Sequence, residues 1–134
     1  CLAVLDYIEK NDVLSNARAR GAQLHEGLLA LQERFPFIAD VRGRGLLWGF
    51  EFVTEVDTRQ PPDSQHNASA DFADTCFDLG LIVYPAGIAP LNNAVILSPP
   101  LTISAEETEL LLVLLSQALE QTSRAPWLAL PPAD

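Results

Sequence analysis

Apolar residues recur at helical spacing through the opening stretch: Leu2, Leu5 and Ile8, then Leu14, Ala17, Leu24, Leu28 and Leu31. That period predicts helix over residues 2–34, in two pieces. Asn11-Asp12 marks the break, and both side chains suit the N-cap of the second helix, where they accept from orphan backbone N–H groups. Pro36 closes the helical region, because the residue before a proline is disfavoured in the helical state. Between residues 38 and 53 the period changes. Ile38–Arg42 reads as a short strand and Leu46–Val53 as a longer one. In the longer strand Trp48, Phe50 and Phe52 share one face, while Leu47, Gly49, Glu51 and Val53 share the other. Gly43-Arg44-Gly45 lies between the strands, and glycine's freedom at positive φ makes it a tight reversal or a bulge.

Residues 54–67 are polar, contain Pro61-Pro62, and read as a surface loop. Phe72, Ala73, Cys76, Phe77 and Leu79 predict a helix from about 68 to 79, ended by Gly80. Leu81–Tyr84 reads as a third strand, residues 85–93 as a loop, and Ala94–Leu97 as a fourth strand, which Pro99-Pro100 stops from continuing. Ser104-Ala105-Glu106-Glu107 is a capping box, with a helix behind it to about Thr122. That helix is apolar without a break from Leu110 to Leu115, which predicts burial on more than one side. The pattern predicts an α+β fold in two layers, a small, mainly antiparallel sheet covered by helices. Residues 1–124 make up this domain, and residues 125–134 form an irregular, proline-rich tail.

Composition narrows the function. The 134 residues carry 18 acidic and 8 basic side chains, a formal net charge of −10. Such a surface repels phosphate backbones and anionic lipid, which argues against nucleic-acid and membrane partners. No apolar run approaches the roughly 20 residues of a membrane helix. Two cysteines, Cys1 and Cys76, are too few for a disulfide framework and fit a reduced, cytoplasmic setting. The opening residues do not read as a secretory signal. The chain contains no methionine, so it is expected to begin part-way through a longer protein or to have been processed or cut.

Two segments resemble a known family. Asp40-Val41-Arg42-Gly43-Arg44-Gly45-Leu46-Leu47-Trp48-Gly49-Phe50-Glu51-Phe52 is similar to the signature strand pair of the class III pyridoxal-phosphate (PLP) aminotransferases, an R-G-x-G followed by an apolar pair, glycine and a carboxylate. Ile96-Leu97-Ser98-Pro99-Pro100-Leu101-Thr102-Ile103-Ser104 resembles that family's entry to its last helix. Gly43, Gly45, Pro99 and Pro100 are the structural residues of the two motifs. Cys1–Asp6 is similar to the alanine-rich helix that leads from the family's large domain into its C-terminal small domain, and agreement extends to about residue 122.

The resemblance implies the C-terminal small domain of the fold-type I architecture. The parent would be a homodimeric transaminase that moves an amino group between an amine or amino acid and a keto acid. PLP would be bound to a lysine of the missing large domain, and this chain alone would be inactive, with no cofactor of its own. The other expectation from the residues is a free-standing α+β binding or interaction module without catalysis.

The individual residues agree with a non-catalytic chain. Lys10, the only lysine, lies in the polar stretch Glu9-Lys10-Asn11-Asp12, with no apolar pocket around it to activate it as a nucleophile. Gly43-x-Gly45 runs into a strand and not into a helix, so it is a turn and no phosphate loop. Arg42 and Arg44 could face a carboxylate ligand, though fixing the turn or contacting the large domain is the stronger expectation. His25 and His66 lack metal-ligand spacing with the cysteines and read as solvated or locally bonded. Asp71, Asp74 and Asp78 read as a wet helix face, and Cys76 as a small core residue.

Many family members that use 2-oxoglutarate carry an arginine in the strand before Pro-Pro, where it clamps the substrate carboxylate. Ile96 holds that position here, and no arginine occurs between Arg59 and Arg124. The departure makes Ile96 the specificity candidate and points to pyruvate or another small keto acid as acceptor.

Overall fold

A computed structural model describes residues 2–128. Helix α1 (Leu2–Lys10) and helix α2 (Val13–Arg34) are separated at Asn11-Asp12, as the sequence predicts. The expected side-chain cap is not made. Asp12 turns into the left-handed region (φ 49°) and uses its backbone carbonyl to accept from Ser15 and Asn16. Asn11 donates its side-chain amide backwards, 2.9 Å to the Tyr7 carbonyl, and so closes α1 instead of opening α2.

Strand β1 (Ile38–Arg44) and strand β2 (Leu47–Phe52) form an antiparallel hairpin in which Arg44 pairs with Leu47. That leaves Gly45-Leu46 as a two-residue turn, with Gly45 at φ 59°, where glycine alone is unstrained. The register shifts between Ala39 and Arg42, and Asp40 sits in this bulge at φ 50°.

Helix α3 (Ala68–Asp78) is capped by Asn67, whose side-chain oxygen accepts from the Ala70 N–H. Strand β3 (Tyr84–Ala86) starts later than predicted. The Leu81 N–H is spent closing α3 on the Cys76 carbonyl at 2.8 Å, around Gly80 at φ 86°, so it is not free for a ladder. Strand β4 (Ala94–Leu97) ends before Pro99, and helix α4 (Ala105–Thr122) begins with both hydrogen bonds of the predicted Ser104/Glu107 capping box. The sheet order is β1-β2-β4-β3, antiparallel throughout.

Helices α2, α3 and α4 cover one face of this sheet, giving the predicted α+β two-layer fold. Trp48, Phe50 and Phe52 point into the core, where Phe72 meets Phe50 and Phe52 edge-on at centroid distances of 5.9 and 5.1 Å. Leu24 and Leu28 from α2, and Leu115 and Leu119 from α4, complete it. Helix α4 does not bury all its apolar positions. It buries one stripe, including Leu111, Leu115, Ala118 and Leu119, and leaves Leu110 and Val113 exposed. Helix α1 buries none of its residues.

The start of the expected irregular tail is ordered. Pro126–Leu128 forms a 3₁₀ turn, and Trp127 is buried with its ring 5.2 Å from Phe52, because an indole offers more apolar surface than solvent can favourably cover. Residues 129–134, like Cys1, lie outside the described residues. None of the described helices is long and apolar enough to cross a membrane.

The hairpin tip is locked to α2 by close backbone approach. A Cβ at Gly21 would lie 2.2 Å from the Gly45 carbonyl oxygen, closer than any packed side chain. Alanine normally improves a helix interior by about 1 kcal/mol over glycine. At this position Gly21→Ala should instead cost about 1–3 kcal/mol, because the tip must move away. Urea unfolding measures this, and an unchanged or higher midpoint would show that the contact constrains nothing.

Candidate functional site

The strand β2 alternation that fills the core also builds the opposite, helix-free face of the sheet. Leu47, Gly49 and Glu51 point there. The register places Gly49 opposite Arg42 on one side and Ile96 on the other, and Ile96 opposite Tyr84. One row, Arg42–Gly49–Ile96–Tyr84, therefore crosses all four strands. Over its Arg42–Gly49–Ile96 part lies an open concavity of about 850 Å³, walled by the hairpin, by the loop carrying Arg59, and by residues 86–88 and Leu91. Arg42, Gly43, Arg44 and Ile96 all line it. Pro99 and Pro100 do not; they line a separate concavity of about 600 Å³ with Gly80, Ile82 and Leu110.

The arginines differ. Arg42 is exposed but forms ion pairs with both Asp40 and Glu51. The β1 bulge, with Asp40 in the left-handed region, is what puts a carboxylate beside Arg42 on its own strand. Arg44 is exposed and has no side-chain hydrogen bond or ion pair among the described residues. Gly43 has no room for a side chain, since a Cβ there would lie 2.3 Å from the Leu47 carbonyl oxygen. Gly49 is tight as well, at 3.0 Å from the Val95 carbonyl oxygen.

Two residues carry more than the sequence suggests. His25 is half-buried and stacks on the Trp48 indole (centroids 4.3 Å, planes 12° apart), while the indole N–H donates to the Gly45 carbonyl at 2.7 Å. Together they pin the hairpin to α2. Arg59 lines the concavity from a loop that reads only as polar. No spacing rule could have placed it there, because the approach depends on how the loop folds back.

The remaining candidates sit apart. Asp71, Asp74 and Asp78 are exposed on α3, and Lys10 is exposed at the end of α1. No group of three or more histidine, cysteine or acidic side chains among the described residues could hold a metal. Glu106 has its carboxyl pulled below the usual range by its own backbone N–H and by Ser104, which is the ordinary effect of a helix N-terminus. Cys76 is fully buried, and desolvation pushes its thiol up to about 12.

Residues 1–119 match the class-III aminotransferase family, and the chain belongs to it. Among curated proteins it is 33% identical over 123 residues to the (R)-1-hydroxy-2-aminoethylphosphonate ammonia-lyase of Vibrio splendidus, covering 92% of this chain and 24% of that one. Among solved structures it is similar to a PLP-bound amine transaminase from an uncultivated Pseudomonas species (38% identity, TM-score 0.79, 90% of this chain and 26% of that one). It is also similar to a Bacillus anthracis aminotransferase (34% identity, TM-score 0.82, 90% and 27%). The chain spans about a quarter of the length of these relatives.

The Cys76 environment gives a pH dependence. The folded thiol holds its proton more tightly than the unfolded one, so its contribution to stability is full below about pH 9 and is lost as pH rises towards 12. Native chain at about pH 8 should therefore leave Cys76 unmodified by a thiol reagent, while urea-unfolded chain should react. Mass mapping reads the outcome, and rapid native modification of Cys76 would contradict the buried assignment.

Proposed function

We propose that this chain is the C-terminal small domain of a PLP-dependent transaminase, and that its helix-free sheet face closes over a substrate site built mainly by a large domain. The observation that carries this reading is the family match over residues 1–119 in a chain a quarter as long as its relatives. The match also favours it over a free-standing binding module. The fold supports the same division of labour. One sheet face is covered by helices, and the other presents Arg42, Arg44, Leu47 and Ile96 without a covering layer.

The chain's own residues do not fit PLP. A Schiff base needs a lysine in a setting that lowers its pKa, and Lys10 is exposed on a helix end. A phosphate needs free N–H groups at a helix N-terminus. The N-termini of α2, α3 and α4 carry Asp12, Asn67 with Asp71, and Ser104 with Glu106 and Glu107, so acids oppose an anion at each. The cofactor, which supplies the electron sink and carries the amino group, belongs to the rest of the parent, and the chain alone is inactive. The work left to it is to hold the row beneath the substrate. Gly49 keeps the floor low, Ile96 supplies an apolar wall, and Arg42, neutralised by two carboxylates, stiffens the edge. The parent works as a homodimer in the cytoplasm, with an amine or amino acid and a small keto acid as substrates.

Ile96 is the specificity residue in this account. An aliphatic side chain cannot pair with a distal carboxylate, so pyruvate-sized acceptors are preferred. In the longer parent protein, Ile96→Arg should raise kcat/KM for a dicarboxylate acceptor relative to pyruvate by about ten- to a hundredfold, matching roughly 1.5–3 kcal/mol for a hydrogen bond to a charged group. A ratio that stays put or moves the other way would remove Ile96 from the acceptor site.

A further inference from the structure

Trp127 is held to the core on unequal terms. Its ring is 3% exposed and lies 5.2 Å from Phe52, yet its N–H is buried with no hydrogen-bond partner among the described residues. A stranded donor of this kind opposes the burial that holds the ring in place, because water would satisfy it. The other indole is settled differently, since Trp48 donates to the Gly45 carbonyl at 2.7 Å.

The backbone around Trp127 adds nothing to the docking. The Ala125 N–H donates to the Thr122 carbonyl (2.8 Å) and the Leu128 N–H to the Ala125 carbonyl (3.0 Å), so these bonds stay within the segment and the helix end it leaves. Among the described residues, no hydrogen bond or ion pair ties residues 125–128 to α3 or to the sheet. Trp127 is the one buried residue of the 3₁₀ turn, and Ala125 and Leu128 are only partly buried against the core. The segment also lies beyond residues 1–119, the stretch that matches the family, and Phe50, Phe52, Phe72, Leu115 and Leu119 of the core all come from inside that stretch.

Opening the segment therefore breaks no bond to another element, gives the indole N–H to water, and leaves the sheet and its helices in place. It gives up the burial of one anchor, where global unfolding gives up the whole core, and a segment so attached opens independently of the rest. We propose that residues 125–128 are a strap, anchored by Trp127, that opens and recloses over the Phe52 and Phe72 edge of the core while the domain stays folded. A concavity of about 400 Å³ already lies there, lined by Asp74, Thr75, Gln121 and Arg124 together with Phe72 and Trp127, and it deepens when the strap leaves. The strap does not depend on the proposed transaminase reading.

The full 134-residue chain, labelled with 5-fluorotryptophan, gives one fluorine signal for Trp48 and one for Trp127, and either Trp127→Phe or Trp48→Phe assigns them. Urea is added while both signals and the helical ellipticity are followed. The Trp127 signal is expected to reach its solvent position at a lower urea concentration than the Trp48 signal and the ellipticity lose their native values. Without urea, the Trp127 indole N–H should exchange about a hundredfold faster, or more, than the Phe50 and Leu115 amides once intrinsic rates are allowed for. A single shared transition, or an indole N–H as slow as those amides, would make Trp127 a fixed part of the core and overturn the proposal. A Trp127 signal already at its solvent position without urea would overturn it too, because no closed strap would exist.

Discussion

Everything in this fold hangs on strand β2 being two-faced. Trp48, Phe50 and Phe52 are buried under the helices, and the intervening Leu47, Gly49 and Glu51 are turned the other way. A strand alternates strictly, so a slip of one residue would expose three aromatic rings and bury a carboxylate. Burying a side chain such as Phe is worth about 1.5–3 kcal/mol, so register and core select each other. The helices answer to the aromatic face. Helix α2 supplies Leu24 and Leu28, α3 supplies Phe72, and α4 supplies Leu115 and Leu119. The helix-free face is the by-product: whatever stands between the aromatics is presented on the side away from the helices.

Much of this was legible in the sequence because it depends on local periodicity. The change from helical to alternating spacing at Ile38, the Gly45 turn, the Ser104/Glu107 capping box and the stop at Pro99 all rest on residues within a few positions of one another. The misses share a different cause. Strand β3 starts at Tyr84 because the Leu81 N–H is committed to Cys76, and the Asn11-Asp12 break uses the backbone where side-chain capping was expected. Trp127 joins the core from beyond the last long helix, which no periodicity announces. Leu110 and Val113 stay exposed although the α4 sequence is apolar all round, because one sheet offers one surface to cover.

The candidate site divides in the same way. Arg42, Gly43, Arg44 and Ile96 were legible as motif residues, and they come together because they occupy one hairpin and the neighbouring strand. What each does was not legible. That Arg42 is neutralised follows from a bulge that puts Asp40 in an unusual backbone conformation. That Arg59 reaches the same surface follows from the folding of a polar loop. Pro99 and Pro100, equally prominent in sequence, belong to a different concavity. A motif thus marked where the chain is constrained without telling structural constraint from contact with a ligand.

The central claim is that one face of β2 is buried within this chain and the other is not. Urea unfolding of Phe50→Ala and Leu47→Ala, measured side by side, tests it most directly. Phe50 is 2% exposed and Leu47 57% exposed, three positions apart on the one strand β2. Phe50→Ala should cost about 3–5 kcal/mol or abolish folding, and Leu47→Ala should stay within about 0.5 kcal/mol of the parent chain. Comparable losses at both positions would mean that the second face is covered within the chain itself, and would contradict the account.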